Sequence, residues 1–185
     1  MYLQVLSASI DDKPLIQRMM ELYQYDFSEF EDQDLNEHGY FGYPYLDYYW
    51  IEGDRYPFIV RVRKKLAGFV LVNQFTYIAD SQYSIAEFFI LRKYRQQGIG
   101  KLVASQVFDR FCGRWEIYQI TTNTVAQKFW RSVIAEYTTG KFTEIAIDDG
   151  DRQGMIQCFD NTSKCSLNNS AIYLQHDSIH KRGCW

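Results

Sequence analysis

The sequence lacks the features that mark nucleic-acid-binding, membrane-spanning and secreted proteins. Its 20 Lys and Arg residues are outnumbered by 23 Asp and Glu residues, so there is no excess positive charge for a phosphate backbone. No run of about 18 uncharged apolar residues is present, and neither end shows a basic segment followed by an apolar one. We therefore expect a soluble, cytoplasmic protein with no nucleic-acid partner and no membrane partner.

The cysteines show no paired spacing that would indicate a zinc site or a thioredoxin-type motif. They are Cys112, Cys158, Cys165 and Cys184. Without a secretion signal, we expect free thiols rather than disulfides. His176 and His180 have helix-face spacing and could hold a metal with the nearby thiols. A polar tail is the simpler explanation of these residues, so we expect no metal.

The two common glycine-rich phosphate loops are also absent. Residues 95–100, Arg-Gln-Gln-Gly-Ile-Gly, join the apolar run 85–91 to an amphipathic helical pattern. A dinucleotide-binding turn would need a third glycine where Val103 stands, and a P-loop would need Gly-Lys-Ser/Thr. The turn still places glycines at the start of a helix, where unpaired N–H groups and the helix dipole attract anions. The sequence therefore predicts a pyrophosphate site of a different kind.

The spacing Arg95-x-x-Gly98-x-Gly100 between a strand and a helix resembles the acetyl-CoA motif of the GNAT superfamily of N-acetyltransferases. A strand at 115–121, followed by a helix that begins at Asn123 with Ala126 three residues later, resembles the next part of that pattern. In this family the fourth and fifth strands splay apart and the pantetheine arm enters the gap. The resemblance implies acetyl-CoA as cosubstrate, bound by Phe88, Phe89, Ile90, Arg95, Gln96, Gln97, Gly98, Ile99, Gly100, Lys101, Asn123, Ala126, Phe129 and Trp130.

One position departs from the family pattern. Seven residues after Asn123, many GNAT enzymes place a Tyr whose hydroxyl protonates the departing thiolate, and this chain has Trp130. An indole N–H donates a hydrogen bond but has no usable acidity. Either another group protonates the thiolate, or the thiol of coenzyme A is acidic enough to leave without help.

The pattern of elements predicts a single α/β (α+β mixed sheet) domain. The resemblance implies a GNAT-like fold, with a central mixed sheet of about seven strands flanked by about four helices and a splay between the fourth and fifth strands. We assign residues 1–160 to this domain. Residues 161–185 are polar and poor in large apolar side chains, so we interpret them as a mobile or loosely docked tail.

The chemistry that the resemblance implies is direct attack of an amine on the acetyl thioester. A main-chain N–H of the fourth strand, around Phe89 or Ile90, would stabilise the oxyanion. Glu87 is the only acidic side chain in that strand and would act as the general base or as the anchor of a water relay. The alternative for Glu87 is a strand-edge carboxylate paired with Lys or Arg.

An acidic stretch at 26–32 and an aromatic stretch at 40–50 lie where GNAT enzymes build the acceptor wall. Carboxylates interleaved with aromatic rings suit a cationic amine, and the candidates are Asp26, Glu29 and Tyr45. Two alternatives are core packing with a solvated acidic face and a homodimer interface. We interpret the lone His38 as a loop residue.

The sequence therefore predicts an acetyl-CoA-dependent N-acetyltransferase that moves an acetyl group to an amine of a small molecule or peptide. The alternative function is a non-catalytic acyl-CoA-binding or sensing module, which Trp130 keeps open. Transfer of a larger acyl group is a third hypothesis. No motif identifies the acceptor, because its specificity lies in loops.

Overall fold

The computed structural model describes residues 2–150 and 152–165, which fold around one seven-stranded sheet. The helices are α1 (Lys13–Phe27), α2 (Ile99–Phe108) and α3 (Thr124–Thr138). The strands are β1 (Leu3–Ser7), β2 (Arg55–Val62), β3 (Lys65–Asn73), β4 (Tyr83–Ile90), β5 (Arg114–Ile120), β6 (Thr143–Asp148) and β7 (Gln153–Asp160). Their order across the sheet is β1-β2-β3-β4-β5-β7-β6. The β4–β5 pair is parallel and the others are antiparallel. The mixed seven-stranded sheet confirms the predicted fold.

Two apolar layers cover the two faces of the sheet. Neighbouring residues of a strand point to opposite faces, so Val60 packs in the layer under α2 and α3, while Ile59 packs in the layer under α1. The α1 layer also includes a short 3₁₀ helix, Leu46–Trp50, which lies between α1 and β2 in the chain. Side chains of β4 contribute to both layers, Ile85 and Ile90 to one and Phe89 to the other.

Helix α1 forms because its apolar side chains recur at helical spacing. Ile16, Met19 and Met20 are buried, and Tyr23 continues the same face into the α1 layer. The helix continues to Phe27, whose ring lies 5.3 Å from that of Tyr23. This extension carries Tyr23 towards β4.

The first residues of the segment assigned to a tail are anchored to the domain. Asn161 is 2% exposed; its Oδ1 accepts from the Gly113 N–H at 2.8 Å, and its Nδ2 donates to the Phe108 carbonyl at 2.9 Å. Cys112 and Cys165 form a disulfide, with Cα atoms 6.0 Å apart. The expectation of free thiols is therefore wrong for this pair, because the fold brings together residues that are 53 positions apart in sequence.

Other expectations concern membranes and metals. Within residues 2–150 and 152–165, no helix is both long and apolar enough to cross a bilayer. The same residues contain no group of three His, Cys, Asp or Glu side chains that could hold a metal ion. Cys158 is a free thiol. The candidate metal ligands His176, His180 and Cys184 lie outside the described residues.

Candidate active site

The sheet opens between β4 and β5. These strands pair only at the start of β4, through Tyr83 and Ser84. Beyond that point, residues 85–90 of β4 and 117–120 of β5 have no partner in each other, although β4 remains paired with β3 and β5 with β7. The result is a gap between two otherwise intact halves of the sheet, as the predicted splay requires.

The backbone of β4 presents polar groups to this gap. The Leu91 N–H donates to the Ala67 carbonyl of β3 at 2.8 Å. Because N–H groups alternate in direction along a strand, those of Phe88 and Ile90 point away from β3 and into the gap. The N–H of Phe89 points to β3. Of the two oxyanion donors that were expected, the geometry favours Ile90, and it adds Phe88.

A β-bulge in β4 turns Glu87 towards α1. Leu71 of β3 lies opposite Glu87, and the next residue of β3 lies opposite Ile85, which leaves Ala86 as an extra residue. Since Leu71 belongs to the α1 layer, its partner Glu87 faces α1, as does Phe89 two residues later. A bulge at this position is a way to aim a side chain, and here the side chain is the predicted base.

The carboxylate of Glu87 lies among tyrosines. Burial raises the pKa of Glu87 to about 7, although hydrogen bonds from the Tyr23 and Tyr43 hydroxyls act in the opposite direction. The nearby charge of Glu31 raises this pKa further. A carboxylate that takes and releases a proton near neutral pH has the proton affinity that a general base requires.

The turn between β4 and α2 exposes its backbone. Gln96 and Gly98 have positive φ angles of 59° and 74°, and a Cβ on Gly98 would meet nothing within 4 Å. Glycine at this position therefore serves the backbone conformation. The Leu102 N–H is bonded to the Gly98 carbonyl at 3.2 Å, and no side chain caps α2. The N–H groups of residues 99–101 thus lack an intrahelical acceptor, and they lie at the positive end of the helix, where an anion is favoured.

The side chain of Arg95 anchors this turn. Its Nε donates to the Ile90 carbonyl at 2.7 Å, and its guanidinium pairs with Asp26 of α1 at 2.5 Å. Arg92 pairs with the other oxygen of Asp26 at 2.6 Å. Partial burial acts to raise the pKa of Asp26, but hydrogen bonds from these two arginines hold it below its usual value. The charge of Asp26 is therefore already compensated within the fold.

Aromatic rings form one wall of the gap. A Cβ on Gly100 would lie 3.2 Å from the ring of Phe129, so Gly100 allows α2 and α3 to approach. The Phe129 ring lies 5.8 Å from that of Phe88, and the Trp130 ring lies 5.0 Å from both. Trp130 is 5% exposed and belongs to the core layer under α2 and α3. Its indole therefore packs mainly against protein.

Two further predicted ligand residues contribute to helix ends. The Oδ1 of Asn123 accepts a hydrogen bond from the Ala126 N–H at 2.9 Å and so caps α3. Lys101, in the first turn of α2, pairs with Glu136 of α3. Asn123 therefore fixes the start of α3, and Lys101 joins the start of α2 to the last turn of α3. These structural roles could not be separated from ligand binding in the sequence.

The candidate acceptor residues are spread over the α1 side. Glu29 is exposed beyond the end of α1, and His38 is exposed in the following loop. Tyr45 is 54% exposed, with its ring 5.9 Å from that of Tyr43. Glu31, Tyr23 and Tyr43 interact with Glu87, and the sequence alone did not indicate these three residues. The helical spacing of Tyr23 with buried methionines was the available signal, because a buried phenol requires a polar partner.

A family model described as the acetyltransferase (GNAT) family matches residues 16–133. An acetyltransferase from Thermus thermophilus has 15% sequence identity and a TM-score of 0.64, with 86% of this chain and 97% of that chain covered. A spermidine N-acetyltransferase from Vibrio cholerae in complex with CoA and spermine has 14% sequence identity and a TM-score of 0.59, with 85% of this chain and 95% of that chain covered. A PaiA N-acetyltransferase from Thermoplasma acidophilum in complex with coenzyme A has 16% sequence identity and a TM-score of 0.54, with 86% of this chain and 99% of that chain covered. A comparison with curated protein sequences finds no match.

Proposed function

The chain belongs to the GNAT acetyltransferase family, and we propose that it is an acetyl-CoA-dependent N-acetyltransferase that transfers an acetyl group to an amine by direct attack. One observation carries the proposal. In β4, a carboxylate whose pKa lies near 7, that of Glu87, follows a bulge and stands beside backbone N–H groups that point into the gap. A base and an oxyanion site thus occur on one short stretch of strand.

Coenzyme A would be held by the backbone rather than by charged side chains. Its diphosphate fits the unpaired N–H groups at the start of α2, since the nearby cations Arg95 and Lys101 are paired with carboxylates of the fold. The pantetheine arm would run along the free edge of β4 between Phe88 and Ile90. When bound, acetyl-CoA supplies an activated acyl carbon with a thiolate leaving group.

The residues of β4 then handle charge and protons. The attacking amine must lose a proton, and ionised Glu87 accepts it. The N–H groups of Phe88 and Ile90 stabilise the oxyanion of the tetrahedral intermediate. Since Trp130 cannot supply an acid, the thiolate leaves as the anion or takes its proton from elsewhere.

The acceptor in this proposal is a cationic amine. Glu31 and Glu87 place negative charge on the α1 side of the gap, and tyrosine rings surround them. This arrangement favours an ammonium group through charge and cation–π contact. Neighbours described as spermidine N-acetyltransferases support an amine acceptor. With Asp26 compensated by arginines, Glu29 and Tyr45 remain the predicted outer wall.

The first test of this function measures release of free CoA from acetyl-CoA with a panel of amines. We expect turnover with at least one amine and a kcat/KM that rises with pH through an inflection near 7. Glu87→Gln should lower turnover by about 100-fold or more and remove the inflection. Glu144→Gln is the matched control, because Glu144 lies on β6 and pairs with Arg131. If the turnover of Glu87→Gln stays within a few-fold of wild type across pH, Glu87 is not the general base.

The second test separates binding from catalysis by calorimetry with acetyl-CoA. Gly98→Asp places a carboxylate in the proposed anion site, and we expect binding to fall by at least tenfold. Gly140→Asp is the control, because Gly140 has a similar φ of 81° and equally open surroundings but follows α3. Unchanged binding by Gly98→Asp would contradict the site. Tight binding by the wild type without turnover of any amine would favour the sensing module.

A further inference from the structure

A second buried carboxylate, that of Glu116 in β5, holds a distant loop. Glu116 is 0% exposed. Its Oε1 accepts a hydrogen bond from the Tyr77 N–H at 2.6 Å, and its Oε2 accepts one from the Ile78 N–H at 2.9 Å. A carboxylate is costly to bury unless hydrogen bonds of this kind meet its charge. Acetyl transfer through Glu87 does not involve this residue, so its burial requires another physical reason.

The loop that Glu116 holds connects β3 to β4. It spans residues 74–82, whereas hairpin loops usually have about 2–5 residues. The middle of the loop crosses to β5, where Glu116 binds it. At its end, the Gln82 N–H donates to the Arg114 carbonyl of β5 at 2.8 Å, and the Gln82 Oε1 accepts from the Arg114 N–H at 3.1 Å. The loop is therefore fixed to β5 at the closed end of the gap.

Glu116 and Tyr118 point to the side of the sheet where Glu87 lies. Their neighbours Trp115 and Ile117 pack in the layer under α2 and α3. Because successive side chains of a strand point to opposite faces, Glu116 and Tyr118 point to the α1 side. Glu87 faces the same side. The loop therefore covers β5 on the face from which an amine would reach the base.

Tyr118 lies across the gap from Glu87. The strands β4 and β5 are parallel, and Ser84 pairs with Glu116. Counting on from this pair, and allowing for the extra residue Ala86 in the bulge, Glu87 comes level with Tyr118. Paired strands lie about 4.8 Å apart, and the strands have separated at this level. An amine that gives its proton to Glu87 would therefore lie between Glu87 and Tyr118.

The loop places the ring of Tyr77 against that of Tyr118. Their centroids are 5.5 Å apart. The Tyr118 hydroxyl donates to the Gln153 carbonyl of β7 at 3.2 Å, and the Arg152 guanidinium lies 4.8 Å from the centre of the Tyr77 ring. Tyr77 is nevertheless 46% exposed. These two rings, the aromatic pair Tyr77–Tyr118, therefore offer an accessible apolar surface on the β5 side of the gap.

We propose that Glu116 is a positioning residue for the acceptor: it holds the aromatic pair Tyr77–Tyr118, which binds the carbon chain of an alkylamine whose nitrogen lies at Glu87. This inference rests on the proposed N-acetyltransferase function. Aromatic rings present a large apolar surface to methylene groups. To reach the pair from Glu87, the chain must span more than the spacing of paired strands, about 4.8 Å. The acceptor class is therefore an amine with an apolar chain longer than two carbons.

The test compares hexylamine with ethylamine, which is too short to reach the aromatic pair. We expect the wild type to favour hexylamine. Tyr77→Ala should lower the ratio of the two kcat/KM values by about tenfold, through the KM for hexylamine and not through kcat. Glu116→Leu should do the same because it releases the loop, and Glu116→Gln should do less because it retains one acceptor oxygen. Tyr2→Ala is the control, since Tyr2 is 58% exposed but precedes β1 at the far edge of the sheet.

Saturation-transfer NMR with hexylamine and CoA gives a readout without turnover. The wild type should transfer magnetisation to the alkyl chain, and Tyr77→Ala should lose most of this transfer. Equal transfer in both proteins, or an unchanged ratio of kcat/KM, would overturn the proposal, as would a fall in kcat with both amines. If Glu116→Leu does not fold, the exposed Tyr77→Ala decides. Failure of the proposed function would appear separately, as no release of CoA with any amine or as turnover retained by Glu87→Gln.

Discussion

Replacement of Glu87 by Gln should make the protein more stable at alkaline pH while it removes activity. Burial raises the pKa of Glu87 from 4.5 to about 7, so the folded state holds a proton that the unfolded state has already released. Stability from this group is therefore full below pH 4.5 and is lost as pH rises through 7. A difference of about 2.5 in pKa corresponds to about 3.4 kcal/mol. Part of the side chain is accessible, which reduces the figure to about 2–3 kcal/mol.

Urea unfolding at pH 4.5 and pH 8 measures this effect. Gln cannot ionise, so the stability difference between Glu87→Gln and wild type should grow by about 2–3 kcal/mol between the two pH values. For Glu144→Gln, the stability relative to wild type should instead fall as the pH rises. A hydrogen bond from Gln157, together with Arg131, lowers the pKa of Glu144, so Glu144 stabilises above its unfolded pKa and loses this effect as pH falls. A stability difference that does not grow between pH 4.5 and pH 8 would refute the raised pKa.

Three further predictions concern packing and the C-terminal anchor. Asn161→Ala should cost about 3 kcal/mol in urea unfolding, because it leaves buried backbone groups unpartnered, while Asn36→Ala in an exposed loop should cost under 1 kcal/mol. Cys112→Ser should lower stability by about 2–4 kcal/mol under non-reducing conditions, and Cys158→Ser should not. Trp130→Tyr should preserve or raise turnover, measured as CoA release, with a stability loss of about 1–2 kcal/mol for the smaller ring; a tenfold drop in turnover would contradict this.

The sequence predicts the sheet well because its signals are local. The apolar runs of β2 and β3, the helical spacing of α1 and the glycine turn before α2 each involve a few neighbouring residues. The turn is also the element whose backbone matches the expectation most directly, with a left-handed Gly98 and uncapped N–H groups. Local patterns of this kind survive folding, since the chain conformation that they require does not depend on distant contacts.

The surroundings of Glu87 could not be predicted in the same way. Its partners Tyr23, Tyr43 and Glu31 come from parts of the chain 44 to 64 residues earlier, and the bulge that aims the carboxylate depends on the register with β3. The ion pairs of Asp26 depend on distant contacts in the same way. Its position in an acidic stretch favoured a substrate role, and the fold also brings Arg92 and Arg95 to it from the turn after β4.

The two glycines of the turn have different tasks, although the motif treats them alike. Gly98 needs a left-handed backbone and has open space around its Cα, so an Asp at this position tests anion binding and backbone strain alone. At Gly100, a Cβ would press on the Phe129 ring at 3.2 Å, and that ring packs against Phe88 at the wall of the gap. Substitution of Gly100 would therefore disturb the gap even if no phosphate bound to the turn. Only Gly98, compared with the similarly left-handed Gly140, gives a measurement that assigns the phosphate site.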